Sequence, residues 1–403
     1  MNNSATIAAA GAAIKRRKNH YHQSLIPGIP DDIAQICLSL VQQPLTLYSV
    51  CQSWRRLLYS PSFPPFLSIY SLLKPSQSKE QTNQYEDSVE FANFDPISSK
   101  WHLLPPPPLE PPLRLLLRHP SFISRHLPIQ SVSVSGKFVL LAATTDHLLP
   151  ALSRPLVFKP LSRKWTYGPP LATPRRWCAA GASRGVVYVA SGIGSHYNQE
   201  VARSVEKWDL KSNNSYCYCA HYSCNHNHDK DKGTKSGWKW EKMGGLKDGK
   251  FSREAIEAVG WRGKLCMVNV KGNAAKEGII YDVEKDTWQE MPEGMLVGWR
   301  GPAAAMEEEI IYMVDESKGA LRKYYPGNDS WMDVLENEML KGAQHMAAAG
   351  GRVCVVRRGG DGIAVVDVVA KPPSLVVVET PLGFQVLDVH ILPRMSQLDS
   401  ESQ

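Results

Sequence analysis

IIYDVEKDTWQEMP, Ile279 to Pro292, joins a β-branched run to an aspartate, a polar turn and then a tryptophan. Branched and aromatic residues on either side of a charged turn read as two strands that reverse into one another. The unit recurs along the chain. FANFDPISSKWHLLPP carries Asp95 and Trp101, LVFKPLSRKWTYGPP carries Pro160 and Trp165, and LRKYYPGNDSWMDV carries Pro326 and Trp331. VEKWDLKSNN precedes a delayed Trp240, and IAVVDVVAKPPSLVVVE keeps Asp367 without a tryptophan. Six copies in 403 residues make a repeat array, larger than one ordinary core.

Each unit also has a head, a turn followed by an apolar strand: GKFVLLAA, GVVYVAS, GKLCMVNV, EIIYMVD and GRVCVVRR. Trp101, Trp165, Trp240, Trp288 and Trp331 stand 64, 75, 48 and 43 residues apart, the later steps near the roughly 50 of kelch repeats. The array resembles a diverged kelch β-propeller, all-β and six-bladed, with the double glycine of the repeat reduced to Ser191-Gly192. In such a ring the tryptophan is a spacer burying area against the neighbouring blade. The first unit lacks an inner strand, and GFQVLDVHIL is left over at the other end. Residues Phe384 to Leu392 are therefore expected to supply that strand and close the ring without an exposed edge.

Ahead of the array the period is helical. Pro30, Asp31 and Asp32 form a helix start, and Ile33, Ile36, Cys37, Leu40 and Val41 make one stripe; Leu47, Val50, Cys51, Trp54 and Leu58 make a second. Two such short helices must pack on a partner or on the next domain. IPDDIAQICLSLV followed by LYSVCQSWRRLL resembles an F-box, with Ile29 in place of the usual leucine and Ala34 and Gln35 where many members carry leucines. The resemblance implies a docking module for the Skp-type adaptor of a cullin ubiquitin ligase. Pro30, Ile33, Leu38, Val50, Cys51 and Trp54 would then sit in or beneath that interface. An F-box joined to kelch units resembles a family common in flowering plants, and implies a non-catalytic receptor that presents a target protein for ubiquitination.

Composition sets the outer bounds. A chain that is 43% hydrophobic and 21% charged is expected to fold, and a net charge of +7 is too dilute to argue for nucleic acid. No apolar run approaches the roughly 18 residues of a membrane helix. Eight unevenly placed cysteines suit a reducing compartment, hence an intracellular protein of nucleus or cytoplasm. The expected layout is a basic tail over 1–22, the helical module over 23–63, the propeller over 64–394 with an insertion near 212–236, and a tail over 395–403.

Catalytic motifs are missing: there is no HExxH, no Gly-x-Ser-x-Gly and no phosphate-binding GxxxxGK[ST]. No cofactor is expected. GIGSHYNQE follows a blade strand and reads as a loop, PPPPLEPP as a stiff connector, and Glu307 to Glu309 as a solvated turn. The starts of the inner strands are more informative: TPRRWCAA, FSREAIEAV, GWRGPAAAM and GAQHMAAA place Arg175 or Arg176, Arg253, Arg300 and His345 at one position per blade. Such cations could converge on one mouth, resembling kelch propellers that hold acidic segments of a target, or could brace neighbouring blades through carbonyls. YCYCAHYSCNHNH gathers Cys217, Cys219, Cys224, His226 and His228 at spacings that fit no standard zinc module. It reads as an inserted turn, with a propeller enzyme or metal-dependent binder as the alternative function.

Overall fold

The computed structural model describes residues 24–41, 46–47, 50–58, 67–76, 89–96, 98–109, 129–145, 147, 149–210, 239–253, 255–271 and 274–395. These form six four-stranded antiparallel sheets, the six blades of a propeller. Blades 2 to 6 each use four consecutive strands; their inner strands are Ile129–Val134, Ala179–Ser183, Ala255–Trp261, Ala303–Met306 and His345–Ala349. Blade 1 takes its inner strand from the other end of the chain: Phe384–Pro393 pairs with Leu67–Pro75 from Leu67↔Pro393 to Pro75↔Phe384. This is the closure expected for the leftover segment. Tyr70 strengthens it by donating its hydroxyl to the Pro393 carbonyl at 2.7 Å.

The tryptophans do more than fill space. Each indole Nε1–H donates to a backbone carbonyl at or just beyond the outer strand of the preceding blade: Trp101 to Glu379 at 2.9 Å, Trp165 to Pro105 at 2.7 Å, Trp240 to Pro169 at 3.0 Å, Trp288 to Gly244 at 2.9 Å and Trp331 to Met295 at 3.0 Å. At every such seam one indole both fills space and ties itself to the backbone of the neighbouring blade. Two residues before four of them, Ser99, Arg163, Asp286 and Asp329 lie at φ between 45° and 53°. That left-handed residue tightens the turn. At two turns its aspartate is also a tie: Asp329 accepts from the Tyr324 hydroxyl (2.7 Å) and from the amides of Gly294 and Met295 in the linker from the preceding blade (2.7 and 2.9 Å).

The aspartates at the ends of the third strands start the turns. Asp282 accepts from the amides of Glu284 and Lys285, and Asp367 from those of Val369 and Ala370. The proline connector leans on blade 2, with the Pro105 and Pro108 carbonyls accepting from Trp165 and from the Tyr167 hydroxyl. Cys178, Cys266 and Cys354 are buried free thiols pushed by burial up to about 11, 12 and 12. No described helix is long and apolar enough to cross a membrane.

Candidate functional site

The helical module is built on Asp31–Ser39 and Gln52–Leu58. The Pro30 carbonyl accepts from Ala34 N at 2.8 Å, and Asp31, in the first turn, accepts from Leu25 N at 2.9 Å. Leu38, Leu47 and Leu57 form its small core, with Trp54 and Val41 against it. Trp54 donates its Nε1–H to the Leu25 carbonyl at 2.7 Å, and its amide meets the Cys51 sulfur at 3.4 Å. Leu38, Cys51 and Trp54 therefore hold the module together. Pro30, Ile33 and Val50 lie on its outside, Ile33 at 45% and Val50 at 55% exposure. Ile36 and Leu40 (59% and 72%) continue the stripe of Ile33 along the first helix, and nothing among the described residues covers it.

Strand direction gives the propeller two unlike faces. One carries the starts of the inner strands and the other carries the hairpins that end them. The inner-strand arginines have different fates. Arg175 is buried and ion-paired to Glu206, with further bonds to the Ser191 carbonyl (3.2 Å) and Ser204 Oγ (2.7 Å). Its work is bracing within blade 3. Arg176 stacks on Trp177, 4.5 Å from the ring centroid, and donates to the Gly194 carbonyl at 2.9 Å, while its Nε has no partner. Arg300 is exposed, and the side chain of Arg253 lies outside the described residues. His345 is half-buried at the lip of a central channel of about 380 Å³.

Just inside that lip lies a polar cluster. Asp388 sits 2.6 Å from His345 Nδ1 and 3.0 Å from His390 Nε2, and Ser131 Oγ donates to it. Ser133 Oγ lies 2.9 Å from His390 Nδ1. Blades 6, 1 and 2 thus meet around one carboxylate. Burial pushes that carboxyl up, but the imidazoles of His345 and His390 outweigh it and hold Asp388 well below the usual range.

At the opposite face the acidic run overturns its reading as a solvated turn. The first hairpins of blades 2, 3, 4 and 6 turn on Ser135-Gly136, Arg184-Gly185, Arg262-Gly263 and Gly350-Gly351, all at positive φ; blade 5 uses Glu307 (φ 48) and Glu308 (φ 61). A glutamate in the glycine position is strained. Glu308 offsets this by accepting from Arg184 N at 2.8 Å and from Ser183 Oγ at 3.0 Å, in blade 3. Glu307 accepts from Gly350 N of blade 6 at 2.8 Å, and Glu309 meets Arg262 of blade 4 at 3.1 Å. Three carboxylates tie three neighbouring turns together around the end of the channel.

No family model matches the sequence. F-box/kelch-repeat protein SKIP25 of Arabidopsis thaliana is 52% identical over 401 residues, covering 97% of this chain and 96% of the relative. The chain belongs to the F-box/kelch-repeat family. F-box protein AFR of the same plant is 24% identical over 345 residues, 84% of this chain and 82% of the relative. In this F-box/kelch-repeat protein, Cys217, Cys219, Cys224 and His226 lie outside the described residues. Among the described residues no group of three or more histidine, cysteine or acidic side chains is arranged to hold a metal. Sequence reasoning missed Asp388, His390, Ser131 and Ser133. The available signal was alternation: Asp388 and His390 are two apart on the closing strand, on one face.

Proposed function

We propose that this F-box/kelch-repeat protein is the non-catalytic substrate receptor of a cullin-based ubiquitin ligase, acting in nucleus or cytoplasm. Its helices dock a Skp-type adaptor and its propeller takes the target. The observation that carries this reading is the uncovered apolar stripe of Ile33, Ile36 and Leu40, with Val50 also exposed, on a module whose own core is already satisfied by Leu38, Leu47 and Leu57. Exposed apolar side chains gathered on one face mark an interaction surface.

The topology supports the division of labour. Leu67 pairs with Pro393 at the hairpin face, and Arg394 meets the Val41 carbonyl of the helical module at 3.4 Å. The helices therefore join the face of the acidic clasp, and the mouth with Arg176, Arg300 and His345 faces away from them. A target held there would be presented clear of the adaptor. Its chemistry would be acidic, met by the exposed Arg300, whereas Arg176 is buried against Trp177. Co-purification of full chain and Skp-type adaptor tests the docking half: Ile33→Asp with Val50→Asp should abolish it while the melting temperature stays unchanged. Adaptor binding that survives the double substitution sinks the assignment.

A further inference from the structure

Where the third strand meets its turn, most blades carry an aspartate. Asp95, Asp209, Asp282 and Asp367 hold that position in blades 1, 3, 4 and 6, and Tyr325 holds it in blade 5. In blades 4 and 6 the residue opposite on the second strand is a cation, Lys264 or Arg352. Blade 2 inverts the charge. Lys159 stands in the aspartate position, directly opposite Lys164 on the outer strand. The register of the second and third strands, Phe138↔Phe158, carried one residue on, sets Lys137 opposite Lys159 as well. Like charges facing each other across strands are destabilising, and here three stand in a row with no acidic partner among the described residues. Burial, and then Lys159, push the Lys137 ammonium below its ordinary value. Arg163, in the same turn, already has a partner.

Lys159 and Lys164 are exposed and Lys137 is half-buried. Adjacent strands lie about 4.8 Å apart, so the row spans about 10 Å, the reach of about three residues of extended chain. All three border turns of the hairpin face, Lys137 after Ser135-Gly136 and the other two on either side of Pro160–Ser162. That is the face the helices join, through Arg394 on the neighbouring blade 1. We infer that Lys137, Lys159 and Lys164 are a second contact for the partner of the helices, receiving an acidic extended segment of the Skp-type adaptor. The inference rests on the reading of the helices as the adaptor dock. Ammonium groups suit such a contact as point charges that need no fixed carboxylate geometry, and exposed cations at the rim of an interface steer encounter. Seating the acidic segment would relieve the repulsion within the row.

Surface plasmon resonance between the full chain and a purified Skp-type adaptor, at low and at high salt, tests it. Lys159→Asp, which restores the residue most blades carry, should weaken binding about threefold or more at low salt. The loss should fall mainly in the association rate and shrink at high salt. Without adaptor the same variant should melt at or above the parent temperature, since the substitution ends the repulsion with Lys137 and Lys164. Weaker binding joined to undiminished stability is an outcome that a merely structural lysine would not give. Parent-like affinity in either Lys159→Asp or the double variant Lys137→Gln with Lys164→Gln overturns the inference and leaves the docking reading intact; failure of the parent itself to bind the adaptor overturns both. A Lys159→Asp chain that binds more weakly and also melts lower overturns the inference too, since the lysine then serves the fold. The double variant keeps the test valid should Lys159→Asp fail to fold.

Discussion

Replacing Glu308 separates two opposed effects at one position. The residue sits at φ 61 and bonds through its carboxylate to Arg184 N and Ser183 Oγ. A non-glycine residue in the left-handed region costs about 1 kcal/mol relative to glycine. Hydrogen bonds to a charged acceptor contribute about 1.5 to 3 kcal/mol each when buried, and at this half-exposed site we take the lower end, discounted to about 1 kcal/mol apiece for solvent screening. Glu308→Ala loses both bonds and keeps the backbone strain, a net loss of about 2 kcal/mol on those principles. Glu308→Gly loses the same bonds but relieves the strain, for a net loss of about 1 kcal/mol. The predicted stability order is parent, then glycine, then alanine. Guanidinium unfolding followed by tryptophan fluorescence reads it as midpoint shifts in the same direction, without needing a two-state fit. A glycine variant as stable as the parent would mean that the two bonds do no more than offset the backbone strain, and an alanine variant as stable as the parent would mean that they contribute nothing. An alanine variant at or above the glycine one would remove the strain argument.

Three further outcomes are expected. Trp331→Ala should cost about 3 to 5 kcal/mol and Trp331→Phe about 1 kcal/mol, because phenylalanine keeps an aromatic ring beside Tyr324 while losing the N–H bond to the Met295 carbonyl; denaturation midpoints decide between them. Glu206→Ala leaves the buried Arg175 cation without its partner and should cost about 3 to 5 kcal/mol; a midpoint within error of the parent would show that the pair is dispensable. Asp388, held low in the folded chain by its histidines, contributes stability above the unfolded carboxyl value of about 3.9 and loses it as pH falls toward its folded value. The stability gap between the parent and Asp388→Asn should therefore be full near neutrality and close below about pH 4, as melting temperatures across acid pH would show.

The architecture was legible because the signal is local and repeated. Trp101, Trp165, Trp288 and Trp331 each follow a polar turn at fixed offset, and even the closing strand could be placed, since GFQVLDVHIL had no other sheet to join. The site was less legible because its contacts are distant in sequence. Glu308 finds Ser183 across 125 residues, so an acidic triplet read alone gives solvent as its natural partner. Arg175 and Arg176 are adjacent and chemically alike, yet one is consumed by Glu206 and the other stacks on Trp177. Alternation assigns them opposite sides, but only the fold says what stands on each.

The closing strand also sets a clock on synthesis. The N-terminal helices leave the ribosome hundreds of residues before Phe384–Pro393 does, and chains emerge at about 5 to 20 residues per second. For tens of seconds the nascent chain can present its helices while blade 1 has no inner strand and Ser131 and His345 have no Asp388 to meet. A message cut short before those codons would yield a protein with its helical segment translated and its ring unsealed. Mouth and seal share one decapeptide, so the channel acquires its finished lip only once nearly all of the chain has been made.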